Sequence, residues 1–224
     1  MNDGELTGQA RTHIAEVADP NCLLHAQAVR PFLNLRRAAL ADGIDLKPMS
    51  SFRDFERQLA IWNSKWSGAR PMYDAAGGKL DAAALHPEER VEAILLWSAL
   101  PGASRHHWGT DVDLVDGNAS AEGYPDKLTR EAFAPPGPYA RLDEWLELNA
   151  PRFGFFRPFK GVRSGVQAEP WHLSFAPIAE KARQALTPAV LQAAIMAAPL
   201  QGKEVVLARL AELHVRYIAA IDLP

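Results

Sequence analysis

The stretch SRHHWGTDVDL, residues 104–114, sets two histidines and two aspartates in one short segment. Its DVDLV half alternates polar and apolar residues, the period of a half-buried strand with Asp111 and Asp113 on one face. Between the histidines and that strand stands Gly109, where the chain can turn tightly enough to bring His106 toward Asp113. A second stretch, EPWHLSF at residues 169–175, alternates like another strand and sets Glu169 three residues before His172. If EPWH runs from a turn or bulge into that strand, one side chain can bind a metal while the other reaches the metal's water. Zinc in a catalytic site takes three protein ligands and leaves one position for water, and hydrolysis also needs a base or acid nearby. Neither pair of residues is specific alone. Together, in this order, they point to a metal site.

Working outward, GIDLKPMSSFR (residues 43–53) reads as a short strand leading to Arg53, and DFERQLAIWNSKW (54–66) as a helix with Asp54 as its N-cap. Residues 22–42 carry apolar positions that mostly fit one helical face, with Pro31 a kink or a first-turn residue. Residues 67–88 read as a long surface loop. PEERVEAILLWSAL (87–100) is expected to be a helix opened by Pro87 and stopped by Pro101-Gly102. A short helix follows around residues 142–148, and Ala/Leu-rich helices run from Ile178 onward, broken near Pro188 and Pro199. Residues 202–221 approach the spacing of a helix that packs on the domain. The expected fold class is α+β, a small antiparallel sheet carrying the zinc site and flanked by helices. The expected domain is single, residues 1–224, with a core at about 22–178 and a helical C-terminal extension at about 179–224.

Composition excludes several classes. The chain is 48% hydrophobic and 23% charged, as ordinary globular proteins are. A net charge of −3 gives no electrostatic case for a nucleic acid partner or an anionic membrane surface. With one cysteine, Cys22, no intrachain disulfide can form and any metal must use His, Asp or Glu. No apolar run is long enough to span a membrane. The N-terminus lacks the basic and apolar regions of a signal peptide, which gives a cytoplasmic expectation, or a periplasmic or cell-wall one if the start is misread. Oligomeric state is not legible.

The two stretches resemble the signatures of the zinc D-Ala-D-Ala carboxypeptidase and dipeptidase family, which includes the vancomycin-resistance peptidases and shares a zinc centre with hedgehog domains. Ser104, His106, Gly109 and Asp113 fall on its Ser-x-His-x-x-Gly-x-Ala-x-Asp pattern, and Glu169 and His172 on Glu-x-x-His with Trp171 between them. The resemblance implies one zinc ion held by His106, Asp113 and His172, with Glu169 as the catalytic base. SSFRDFERQ resembles the carboxypeptidases' Ser-x-Tyr-Arg…Gln segment, which implies that Arg53 faces the scissile carbonyl and that Gln58, like Ser104, contacts substrate. His107 is then left as a structural residue or pocket wall. Asp111 departs from the family's small residue. It could face solvent, perturb the pocket's charge or hold a ligand histidine; as a fourth ligand it would close the position that water needs.

The implied activity is removal of a C-terminal D-alanine from peptidoglycan stem peptides or muropeptides, with D,D or L,D specificity open. D-Ala-D-Ala dipeptidase is the alternative, and a peptidoglycan endopeptidase a further one. A non-catalytic zinc module of the hedgehog kind has no chemical need for both Glu169 and Arg53.

Overall fold

The computed structural model describes residues 1–161 and 165–224. In chain order its strands are β1 (Ile14–Val17), β2 (Cys22–His25), β3 (Leu46–Ser50), β4 (Met72–Tyr73), β5 (Lys79–Leu80), β6 (Asp111–Asp116), β7 (Phe155–Phe156) and β8 (His172–Phe175). Four of them form an antiparallel sheet in the order β3-β6-β8-β7; β1 pairs with β2 and β4 with β5. Helices flank the sheet, so the mixed α+β architecture is as the sequence implies.

The register of the main sheet assembles the two motifs. Asp113 stands opposite His172 across the β6–β8 ladder, and Asp111 stands opposite Ser174. On the other side of β6, Ser50 is paired with Asp113 through an irregularity after Pro48. Proline lacks the ladder donor, which explains a break in pairing there. Directly opposed side chains on one face lie close enough to share a ligand. DVDLV was expected to be half-buried, yet every residue of β6 is buried. The cause is position: β6 is an inner strand, and of its polar face only Asp113 reaches a cavity while Asp111 is closed off from it.

Two apolar clusters sit on either side of the motif segment. One packs the sheet against helix Ala26–Ala41 and helix Ala140–Asn149 through Phe32, Leu35, Leu46, Val112, Leu114, Leu142 and Leu173. The other joins helix Phe55–Trp66, helix Pro87–Leu95 and the C-terminal helices through Trp62, Ile94, Trp108, Leu191, Ile195 and Leu213. Trp108 and Val112 therefore anchor one short segment in both clusters, which fixes the turn between them. The C-terminal part is broken as expected at Pro188, and its last helix spacing resolves into Lys203–Ala208, Leu210–Leu213 and a final wide turn, His214–Ala219.

Two local expectations are corrected. Residues 22–25 form β2, not the start of a helix; the helix begins at Ala26, where His25 Nδ1 accepts the Gln27 N–H at 3.1 Å. Apolar density runs unbroken across that junction, so periodicity alone could not locate it. The helix runs through Pro31. Residues 67–88 are also not a plain loop: β4 and β5 make a small hairpin, with Met72 buried beneath it. Asp74 Oδ1 accepts from Ala76 and Gly78 N–H and closes its turn. Strands of two residues are too short to show alternation. Elsewhere the local chemistry holds: Asp54 accepts the Arg57 N–H at 2.8 Å and caps its helix, and Pro87 stands in the first turn of the next.

Candidate active site

His106 lies in a single 3-10 turn, Arg105–Trp108, that ends at Gly109 with φ +64°. Only glycine serves here for two reasons. The backbone is left-handed, and a Cβ would fall 2.6 Å from the His25 amide nitrogen of β2. Gly109 O accepts that same N–H at 2.7 Å. The turn is thus locked against β2, and its next residues enter β6.

One ligand atom each from His106, Asp113 and His172 lies within 4.8 Å of the others, and all three residues are buried. The histidine tautomers follow from their outer partners. His106 Nδ1 is 2.9 Å from the Ser51 carbonyl, an acceptor only, so Nδ1 carries the proton and Nε2 turns a lone pair toward Asp113 Oδ2 at 3.3 Å. His172 Nε2 is 2.9 Å from Asp111 Oδ1, so its Nδ1 is the bare nitrogen facing Asp113 Oδ1 at 3.0 Å. Two lone pairs and a carboxylate thus point at one spot, an arrangement that repels unless a cation or a proton lies between them. A divalent cation fits this donor set of two imidazoles and one carboxylate. Burial favours the neutral His172 ring, but hydrogen bonds with Asp111, Asp113 and Glu169 outweigh it and raise its pKa well above the ordinary histidine value.

Asp111 resolves the departure from the family pattern. It is wholly buried, accepts from Arg105 Nε at 2.8 Å, from Thr110 Oγ1 at 2.5 Å and holds His172 Nε2. Burial opposes ionisation, yet the Arg105 charge and these bonds keep its carboxyl below the usual carboxylate range. Arg105 in turn donates to Ser174 Oγ at 2.6 Å and lies 4.8 Å over the Trp108 ring. Sequence reading missed Arg105. The signal was there: a buried acid in place of a small residue requires a buried cation, and the nearest arginine is six positions upstream.

The remaining predicted residues other than Gln58 line one cavity of about 770 Å³. Glu169, Arg53, Ser104 and Trp171 line it together with the three candidate ligands. Glu169 Oε2 is 3.3 Å from His172 Nδ1, and the Glu169 carbonyl accepts the His172 N–H, a turn that folds the carboxylate back over the site. Arg53 follows β3 and is held by Gln58 Oε1 at 2.7 Å and Ser50 Oγ at 3.0 Å. Gln58 is fully buried and also donates to the Ala99 carbonyl, so it braces Arg53 from behind. His107 faces away from the cluster: its Nδ1–H donates to Arg53 O at 2.6 Å and its Nε2 accepts from Gly102 N–H at 3.2 Å. Burial pushes its pKa down to about 3, so it is a neutral brace.

The fold and this centre define a class: an antiparallel sheet whose inner strands present a His-Asp-His cation site, with a carboxylate and an arginine, to one open cavity. Comparison with known proteins narrows it. Residues 21–178 match the VanY family, D-alanyl-D-alanine carboxypeptidase. The chain belongs to that family. It is 46% identical over 98 residues to an uncharacterised protein of Haemophilus influenzae, a match covering 42% of this chain and 67% of the other. It is 30% identical over 155 residues to a D-alanyl-D-alanine carboxypeptidase of Enterococcus faecalis, covering 67% of this chain and 47% of that protein, so it spans about half of that relative's length. Its fold resembles that of VanYB solved in complex with D-Alanine-D-Alanine, with a TM-score of 0.54, 24% identity and coverage of 88% and 90% of the two chains. A VanY structure in complex with Zn(II) has a TM-score of 0.52 at 24% identity, covering 80% of this chain and 88% of that one. Among the described residues no helix is long and apolar enough to cross a membrane.

Proposed function

We propose that this protein is a zinc-dependent carboxypeptidase that removes a C-terminal D-alanine from peptidoglycan stem peptides or muropeptides. The observation that carries the reading is the convergence of two histidine lone pairs on Asp113, beside Glu169 and Arg53, at the wall of a cavity large enough for a short peptide. His106, Asp113 and His172 would hold one zinc ion, which when bound polarises a carbonyl and makes water acidic enough to lose a proton near neutrality.

The chain's own groups supply the rest. Glu169 accepts the proton of the attacking water and returns it to the departing amine. Arg53, fixed by Gln58 and Ser50, sets a guanidinium where negative charge grows on the carbonyl oxygen. Asp111 holds His172 in the tautomer whose Nδ1 is free, and the Ser51 carbonyl does the same for Nε2 of His106. Trp171 and Phe159 close the site on the His172 side.

The test is mass spectrometry of purified protein with D-Ala-D-Ala, a tetrapeptide stem and a pentapeptide stem, each with and without chelator. Chelator-sensitive loss of one alanine from a stem supports the reading, and the stem that reacts assigns D,D or L,D specificity. Cleavage of the dipeptide alone, or of none of the three by zinc-loaded protein, would overturn it.

A further inference from the structure

The cavity has a second end that the chemistry above does not use. Lys65, from helix Phe55–Trp66, reaches into it and donates to Ser98 Oγ at 2.9 Å. Arg70 lines it from the segment after that helix, and Arg130 from across the cleft. Arg130 is held by neutral groups: its guanidinium lies 5.3 Å over the Trp97 ring and donates to the Ala75 carbonyl at 3.3 Å. Other cations of the described residues are matched, as Arg105 is by Asp111 and Arg36 by Asp45. Lys65, Arg70 and Arg130 make no ion pair within 4.0 Å among the described residues.

The charge balance of this cavity is therefore lopsided. Of the acids that line it, Asp113 and Glu169 belong to the metal end, where a divalent cation would cancel both; the other is Glu131, which is exposed. Arg53 is occupied at the metal end by the carbonyl. Three cations, of which Arg70 is also exposed, then face that one acid, in a chain whose net charge is −3. The C-terminal carboxylate of a carboxypeptidase substrate answers to one positive charge and leaves a positive surplus. Burial adds to the demand: desolvation pulls Lys65 down to about 8 although Glu169 pulls the other way, so the ammonium is held charged at a cost that a docking carboxylate would offset.

We propose that Lys65, Arg70 and Arg130 select peptides carrying a side-chain carboxylate in addition to the one at the C-terminus. The proposal rests on the carboxypeptidase reading and names its substrate class: short acidic peptides. The cation–π contact under Arg130 and the hydrogen bond under Lys65 orient both groups at little entropic cost, which favours discrimination over mere attraction.

The test uses full-length zinc-loaded protein and peptides ending in D-alanine that differ only in Glu against Gln one or two residues before the scissile bond. The expected result is a kcat/KM ratio of about tenfold or more in favour of Glu, carried mainly by KM and reduced by salt. Lys65→Met and Arg130→Gln should each bring the ratio toward unity, and Lys65→Arg should restore it. Both peptides are measured on the same preparation, so the ratio cancels any loss of folded protein. The same ratio with C-terminally amidated peptides, read by calorimetric binding, separates the side chain from the terminus. Equal rates for Glu and Gln in the wild type, a ratio that survives both substitutions, or discrimination that vanishes on amidation would each overturn the proposal. If no peptide is cleaved, the carboxypeptidase reading fails instead, and the calorimetric Glu/Gln comparison still decides the selection: equal affinity overturns it, a preference lost in Lys65→Met supports it.

Discussion

The two ends of the cavity are built on different terms. At the metal end four side chains have holders: Ser51 O for His106, Asp111 for His172, Arg105 for Asp111, Gln58 for Arg53. Those holders come from strands, a locked turn and a helix start. At the other end Lys65 rests on a serine hydroxyl, Arg130 on a ring face, and Arg70 is exposed. Among the described residues the hairpin β4–β5, which contributes Tyr73, Ala76 and Gly77, has no partner strand beyond its own two. Chemistry demands fixed geometry, whereas recognition tolerates side chains that adjust to what arrives. Substitutions at the metal end should therefore cause steep, specific losses, and those at the other end graded changes in preference.

The steepest break is at Glu169. Glu169→Gln should retain the metal by elemental analysis while kcat falls by about two to four orders of magnitude. His106→Ala should lose both. Undiminished hydrolysis by Glu169→Gln would remove this residue from the mechanism.

Asp111→Ala comes next, because it separates holding from ligating. Zinc affinity, measured by chelator competition, should weaken by about 10–100-fold. The substitution also leaves Arg105 buried without its partner, which should cost about 3–5 kcal/mol in urea unfolding. Replacing Arg105 by Met as well should recover stability but not affinity. Recovery of both would show that Asp111 serves the arginine alone.

His107 sharpens the contrast between neighbours. Its pKa is about 3 in the folded state, below the ordinary value for an unfolded chain, so the unfolded state binds the proton first. Its contribution to stability is complete above about pH 6.5 and is lost progressively as pH falls toward about 3, at up to about 1.4 kcal/mol per pH unit. His13 and His25, also lowered by burial, add in the same direction. Denaturant midpoints of metal-free protein between pH 7 and pH 5 should fall less steeply in His107→Gln than in wild type; equal slopes would mean that His107 does not titrate there. The smallest effect is expected at Asp54, outside both ends. Asp54→Ala should cost about 1 kcal/mol in thermal unfolding with no change in metal content.

How much of this was legible depends on range. His106, Asp113, Glu169, His172 and Arg53 could be read because short motifs fix them locally, and the Asp54 cap and the Pro87 helix start obey rules within one turn. What could not be read was side-chain direction across the sheet. Asp111 and Asp113 share a face in sequence, yet register sets Asp113 against His172 while Asp111 meets Arg105, and spacing cannot say which. Gln58 matched a substrate-contact position but lies behind Arg53, because its helix begins two residues after the arginine and carries Gln58 inward in its first turn. Lys65 stood in a polar run, and its access to the cavity depends on where the helix axis lies. β2 escaped because apolar density does not distinguish a four-residue strand from a helix turn, and the β4–β5 hairpin because strands of two residues are too short to alternate.

The bonds that orient the two histidines differ in how they can change. The acceptor that orients His106 is a peptide carbonyl, that of Ser51, whereas the acceptor that orients His172 is a carboxylate. A codon change can remove the second but not the first, since every residue at position 51 brings the same carbonyl. One bearing of the centre is thus inherited with the backbone and the other is written in the gene. Sequence drift, or an engineer, can retune the basicity of the His172 imidazole through residues 111 and 105 while the His106 ring keeps its aim.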